Sequence, residues 1–445
     1  MKRLLKGGHV VDPVHGIDGV ADILIEGGLV AGVGPNLEAG GDVQVVNVPA
    51  GFVVCPGFVD MHVHLRDPGQ EHKETVATGA AAAAAGGFTA VACMPNTDPV
   101  NDDASVTRAI LEKAAAAGLV RVYPIGAVSK GMKGEQLAEI ADLRAAGCVA
   151  ISDDGRPVPT AILMRRALEY AGMFDLPVID HCEEPSLKGE GVVHEGYVAS
   201  VLGLRGIPAA AEAVMVDRDI ALAEMTGSAV HIAHLSTRQA LRSVRAAKAR
   251  GARVTCEVAP HHFTLTDERL TGPVEYDTNL KMNPPLRERV DVDALLQGLQ
   301  DGTVDAIATD HAPHQADEKH VEFDRAPFGI IGLETAVPLT LDRLFHPGVI
   351  TMRRLVQLLS VNPARILNVT GGTLRPGRPA DITILAPEVS QTVDLSRSRS
   401  RSRNSPFNGW TLKGAVAATI VGGRTIYVND QVAGAANLAG DVAVA

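Results

Sequence analysis

The feature that most constrains this chain is an eightfold alternation along its middle. Short β-rich runs, each ending in polar residues, alternate with Ala-rich helical stretches. The runs read FVVCPGFVDMHVH, FTAVACMPN, VRVYPIGAVS, CVAISDDG, LPVIDHCEE, AVHIAHLS, RVTCEVAPHH and VDAIATDHAPH. Helical patterns fall over Thr75–Ala85, Ala104–Ala117, Glu135–Ala146, Thr160–Ala171, Ala209–Met225, Thr237–Ala249, Asp291–Leu299 and Leu333–Leu344. A parallel strand needs a crossover before the next, so repeated strand–helix units build parallel sheets, and eight of them predict a closed (β/α)8 barrel of the TIM type. Residues 52–365 hold this pattern and leave room for long loops.

The two ends have another texture. ADILIEGGLVAGVG and VQVVNVP near the start, and ADITILAP and AVAATIVGGRTIYVN near the end, alternate apolar and polar residues between Gly-rich turns. Neither end can cover both faces of a sheet alone. The expected fold is therefore α/β, with residues 1–51 and 366–445 joining into one small β-sandwich domain beside the barrel of 52–365.

Composition narrows the function. The net charge of −11 argues against coating nucleic acid or an anionic membrane, and 3% aromatic residues leave little for base stacking. The 5 cysteines, Cys55, Cys93, Cys148, Cys182 and Cys256, are scattered without a CxxC, which disfavours a disulfide framework or thiolate zinc site. Cys182 is read as core packing. The start, MKRLLKGGHVVDPVHG, lacks the apolar stretch of a signal peptide, and no run of about 18 apolar residues is present, so a cytoplasmic protein is expected. The repeat SRSRSRSR at Ser396–Arg403 is read as a solvated surface loop.

Chemistry concentrates at the strand ends. In Asp60-Met61-His62-Val63-His64 the two histidines lie two apart and share one side of a strand, at the barrel face where such folds place their sites. Other ends carry matching groups: Asp153-Asp154, Asp180-His181, His231 and His234, and Asp310-His311 with His314. With 15 histidines in 445 residues, this recurrence points to imidazole–carboxylate coordination of a divalent ion, zinc or another such as manganese. His231 and His234 cannot both point inward from a straight strand. His234, nearer the end, is the better ligand, and His231 a supporting or core residue. Between Asp153 and Asp154 the spacing does not choose. His9, His15, His72, His194, His320 and His346 are read as surface or loop residues, and His261 and His262 as possible supports of the site.

The motifs DMHVHLRDPG, MPNT, SDDG, IDHCE, HIAHLST, KMNPPLR, DHAPH and APFGIIGLE, with GTLRPGRPADITIL and SRNSPFNGW near the end, resemble the bacterial dihydroorotases of the long-chain (class I) type, cyclic amidohydrolases of the amidohydrolase superfamily. The resemblance covers nearly the whole chain. It implies that His62 and His64 bind one metal ion, that Asp154 bridges two, that His181 and His234 bind the second, and that Asp310 binds the first and acts as catalytic acid/base. It also implies that Arg66, Asn96 and His314 hold a substrate carboxylate, with His64, Leu65, Asn283, Phe328 and Gly329 completing the substrate contacts. Two departures stand out. Many relatives bridge their metals with a carboxylated lysine, and CVAISDDG has none, which leaves one or two ions open. His194 stands where relatives commonly carry Asn, with no catalytic consequence expected.

The implied reaction is the reversible, zinc-dependent closure of N-carbamoyl-L-aspartate to (S)-dihydroorotate and water in pyrimidine biosynthesis. Opening an unreactive cyclic imide needs hydroxide at neutral pH, which a zinc ion supplies by lowering the pKa of water, and a proton carrier, which Asp310 supplies. Competing readings are another cyclic amidohydrolase, allantoinase or dihydropyrimidinase, and an inactive chain that only scaffolds aspartate carbamoyltransferase. Arg66, Asn96 and His314 argue against the first, and the filled ligand positions against the second. The expected partners are the small-molecule substrate, a second copy in a homodimer, and aspartate carbamoyltransferase.

Overall fold

A computed structural model of the chain describes residues 2–38 and 40–439. Eight parallel strands form the barrel: Phe58–Val63, Phe88–Cys93, Arg121–Pro124, Ile151–Ser152, Val178–Asp180, Val230–Ile232, Val254–Val258 and Ala306–Ile307. Bridges between Gly126 and Ile151 and between Val63 and His311 close the ring. Met61, Ala92, Ile179 and Ala306 share one buried cluster, while a larger apolar shell packs strands against helices.

The helices follow the sequence pattern because their ends are marked. Thr75, Asp103, Thr160 and Thr237 accept hydrogen bonds from first-turn amides that have no partner within the helix. Glu135–Ala146 is the exception, since the helix there spans only Ile140–Ala146. The preceding residues are held in a loop by a Ser129–Leu137 bridge and by the Lys130 amide, which donates to the Gln136 carbonyl at 2.8 Å.

Strands from both chain ends make one sheet. Its order is Arg424–Val428, Thr411–Val421, Ile382–Thr392, Val53–Pro56, Lys2–Asp12, Ile17–Glu26 and Leu29–Gly34, with Gln44–Asn47 beside Lys2–Asp12. Buried polar groups tie the ends together. The Arg3 guanidinium donates to Thr425 Oγ1 (2.7 Å) and the Leu438 carbonyl (2.6 Å), and Asp12 accepts from the Leu374 amide (2.6 Å). The run FVVCPGFVDMHVH is two strands, one in each sheet, divided at Gly57. A Cβ there would lie 2.1 Å from Thr89 Oγ1, so the crossing is closed to a side chain.

Two readings need correction. Of the serines in Ser396–Arg403, only Ser396 is exposed. Ser400 and Ser402 are buried and Ser398 half-buried, while Arg397, Arg399, Arg401 and Arg403 are exposed. Ser398 donates to Glu334, Ser400 to Glu74, and Ser402 to the Lys73 carbonyl at 2.7 Å. Alternation sends the small hydroxyls to buried acceptors and the cations to water. His194 is also buried, in the short strand Val193–His194, with its Nδ1 3.1 Å from Arg287 Nη1. Among the described residues no helix is long and apolar enough to cross a membrane.

Candidate metal centre

The first barrel strand delivers His62 and His64 to the rim. Its pairing slips between Asp60 and Val63, a bulge of the kind that re-aims side chains. Asp60 Oδ1 fixes the slip by accepting from the His62 and Thr309 amides, each at 3.1 Å. Leu65 points elsewhere and packs against Gly79, where a Cβ would lie 2.4 Å from Leu65 Cδ2. Three rim residues, Arg66, His234 and Asp310, adopt left-handed backbone with φ of 60°, 30° and 48°. Such conformations cost a non-glycine residue energy and collect where side-chain direction matters.

Asp154 lies between two imidazole pairs. Its Oδ2 is 3.2 Å from His62 Nε2 and 3.5 Å from His64 Nε2. Its Oδ1 is 3.3 Å from His234 Nε2 and 3.6 Å from His181 Nδ1. Asp310 Oδ1 joins the first pair, 3.1 Å from His64 Nε2 and 3.6 Å from His62 Nε2. Donor atoms about 3.3 Å apart are what four ligands give when each sits about 2.0–2.1 Å from a tetrahedral ion. Asp153 turns the other way, accepting from the Val128 amide (2.9 Å), the Ser129 amide (3.0 Å) and the Ser129 hydroxyl.

The donor set fits a divalent cation. His62 Nε2 and Asp154 Oδ1 are buried without a hydrogen-bond partner, which is costly unless a cation joins them. Neighbours fix the ring orientations. His62 Nδ1 lies 2.7 Å from Glu257 Oε1, and His64 Nδ1 lies 2.9 Å from Asn96 Oδ1, so protons there leave both Nε2 atoms free as ligands. His231 Nε2 also meets Glu257, at 3.2 Å, and His231 is absent from the ligand cluster. Glu257 was missed in the sequence because a lone acid inside RVTCEVAPHH matches no motif. Its inward phase on the seventh strand was the available signal.

The charges around these groups make a pocket that favours a cation, whether a proton or a metal ion. Burial disfavours ionised Asp154, but His62, His181 and His234 outweigh it and hold the carboxyl well below its usual range. Asp310 is likewise opposed by burial and held low by His64, His62 and His234. Burial disfavours a charged His62, yet Asp154 and Glu257 raise it well above an ordinary histidine. Burial also opposes ionised Glu257, which His62 and His231 nonetheless bring down to about 2.

The remaining candidates line the approach. Arg66 is buried, its Nε donating to the Pro313 carbonyl at 3.3 Å and its Nη2 3.4 Å from His314 Nε2. His314 Nε2 donates to the Phe328 carbonyl at 2.9 Å, and burial followed by Arg66 lowers its pKa to about 2, which keeps the ring neutral. The Asn283 amide lies 3.0 Å from His181 Nε2 and 3.2 Å from Glu183 Oε2. Asn96 spends its oxygen on His64. Gly329 donates its amide to the Lys281 carbonyl at 2.9 Å.

Residues 51–240 match the Dihydro-orotase-like family and residues 207–427 the Amidohydrolase family. The chain is 56% identical over 427 residues to the dihydroorotase of Syntrophotalea carbinolica, covering 96% of this chain and 99% of that one. It is 56% identical over 426 residues to the dihydroorotase of Pelotomaculum thermopropionicum, covering 96% and 98%. The chain belongs to the dihydroorotase family. Among solved structures it resembles dihydropyrimidinase from Brevibacillus agri (TM-score 0.85, 24% identity, 99% and 98% of the two chains) and L-hydantoinase from Arthrobacter aurescens (0.84, 24%, 96% and 96%). These likenesses agree with a barrel plus β-sandwich, and membership of the dihydroorotase and amidohydrolase families makes the chain a cyclic amide hydrolase.

Proposed function

We propose that this chain is a dihydroorotase of the long-chain (class I) type, interconverting N-carbamoyl-L-aspartate and (S)-dihydroorotate in the cytoplasmic synthesis of pyrimidines. One observation carries the choice of substrate: Arg66, buried beside His314 at the mouth of the histidine–carboxylate cluster, has no ion pair with a carboxylate among the described residues. A guanidinium taken out of water in this way suits a carboxylate brought by the substrate. Dihydropyrimidine and hydantoin rings carry none.

His62, His64 and Asp310 form one ligand group, His181 and His234 the other, and Asp154 reaches both. Zinc fits these nitrogen and oxygen donors, as one ion or two. An ion held by these residues would supply hydroxide near neutral pH and polarise the ring carbonyl. Asp310 stays ionised, accepts the proton released as the carbonyl carbon is attacked, and returns it to the departing ring nitrogen. Arg66, Asn96 and His314 hold the substrate carboxylate, while Asn283 and the backbone of His64, Leu65, Phe328 and Gly329 hold the ring. Ring closure removes one carboxylate and consumes one proton, so acid favours closure and base favours opening.

The test is incubation of purified protein with dihydroorotate, dihydrouracil and allantoin, alongside elemental analysis. Opening of dihydroorotate alone, with zinc at one or two per chain, is expected; turnover of dihydrouracil or allantoin in preference would refute the reading. The family resemblance also supports a homodimer able to dock aspartate carbamoyltransferase, which light scattering with and without that enzyme would check.

A further inference from the structure

Residues Ser396–Arg403 form a strap laid over the barrel, with Ser400 on Glu74 and Ser402 on the Lys73 carbonyl. The strap runs into Asn404, which is buried although it belongs to the C-terminal part of the chain. The Asn404 side chain makes three hydrogen bonds, all to barrel backbone. Its Nδ2 donates to the Ala312 carbonyl at 2.9 Å and the Gly329 carbonyl at 3.1 Å, and its Oδ1 accepts from the His314 amide at 3.0 Å. Its own carbonyl accepts from the Ile331 amide at 2.9 Å. One side chain therefore grips both the segment that carries His314 and the segment that carries Phe328 and Gly329. These are the two segments joined by the His314–Phe328 contact beside Arg66.

We infer that Asn404 is a positioning residue for the substrate-carboxylate subsite, setting the distance of His314 and the Phe328–Gly329 backbone from Arg66. The inference rests on the proposed reading of Arg66 and His314. Asn404 touches no candidate metal ligand. Its effect falls on how well a carboxylated substrate is held. The strap brings Asn404 into place: Ser400 is anchored on Glu74, whose Oε2 lies 3.3 Å from His311 Nε2, and Ser402 on the Lys73 carbonyl. Small hydroxyls at these positions let the strap lie close to the barrel, and the intervening arginines keep its outer face wet.

Asn404→Asp is the informative change because it preserves shape. It keeps an acceptor for the His314 amide but replaces the Nδ2 donor with an oxygen facing two carbonyls. A buried mismatch of this kind predicts a rise of about tenfold or more in KM for dihydroorotate. Turnover should stay within about threefold and zinc content should match wild type, because no candidate ligand is touched. Asn404→Ser, which keeps a donor and an acceptor on a shorter side chain, should fall between the two proteins. Ser396→Ala, whose hydroxyl meets only Asp394, should leave both constants unchanged. An unchanged KM in Asn404→Asp and Asn404→Ser would overturn the inference, as would a loss confined to turnover and zinc content. Wild-type protein assayed alongside separates a failure of the proposed function from a failure of the role of Asn404. If wild type fails to open dihydroorotate, the proposed function fails and takes the inference with it. If wild type works and the Asn404 variants match it, only the role of Asn404 fails.

Discussion

Two buried carboxylate clusters sit on opposite sides of the fifth barrel strand. In one, Asp154 and Asp310 are ringed by His62, His64, His181 and His234. In the other, Asp180 and Asp219 lie around Cys182, and Arg218 reaches Asp219 at 2.7 Å and Asp180 at 3.4 Å. Both groups place three potential ligand atoms within 4.8 Å. They differ in the source of positive charge. A guanidinium is permanently charged and has no lone pair to give a metal, so Arg218 balances one acid of the second cluster, while burial and the neighbouring Asp219 push Asp180 well above the usual carboxylate range, towards its neutral form. Imidazoles offer lone pairs, and an ion can provide the charge. Proximity of acids therefore does not mark a metal site; the identity of the cation beside them does. The two arginines repeat the lesson, because Arg218 has carboxylates of its own whereas Arg66 has none among the described residues.

The acids of the first cluster should give the largest effects when changed. Asp310→Asn should retain metal and lose turnover by about 10²–10⁴-fold, measured by steady-state kinetics with elemental analysis; near-normal turnover would end its role as proton carrier. Asp154→Ala should lose metal, whereas Asp153→Ala should keep it, and the opposite result would exchange their assignments. Arg218→Met should leave metal content alone but destabilise the fold by about 3–5 kcal/mol, since it strands buried acids. A fall in zinc per folded chain would instead make the second cluster part of the site. Arg66→Ala should weaken binding of the carboxylated substrate by about 2–5 kcal/mol with little change in thermal stability; an unchanged KM would return Arg66 to a structural role.

The smallest effect concerns pH. Burial, against hydrogen bonds from Ser129 and Val128, raises Asp153 to about 6. The folded state then holds a proton that the unfolded chain releases near pH 3.9, so this residue's contribution is full below about pH 4 and is lost as pH rises through about 6. Asp153→Asn should flatten the stability profile in that window by at most about 3 kcal/mol, read from urea unfolding at several pH values. A steeper profile in the variant would contradict the assignment.

Much of this was legible in the sequence, for particular reasons. The strand–helix alternation appeared because parallel strands and amphipathic helices have different apolar periods, and because Thr and Asp caps mark the starts of several helices. His62 and His64 were legible because two-residue spacing on a strand has one geometric meaning. Asp154 needed the family resemblance, since neighbouring aspartates look alike until their backbones are placed. Glu257 and Asn404 were illegible because they act on groups 195 and 92 residues away without a motif of their own. The strap misled because its composition averages hydroxyls and cations that the fold separates face by face.

The left-handed backbone at Arg66, His234 and Asp310 has a practical consequence for anyone seeking a hardier version of this molecule. Glycine would relax each of these turns but would erase the side chain the turn exists to aim. Gains in heat tolerance should therefore come from the outer helices and the terminal sheet, where no such bargain has been struck.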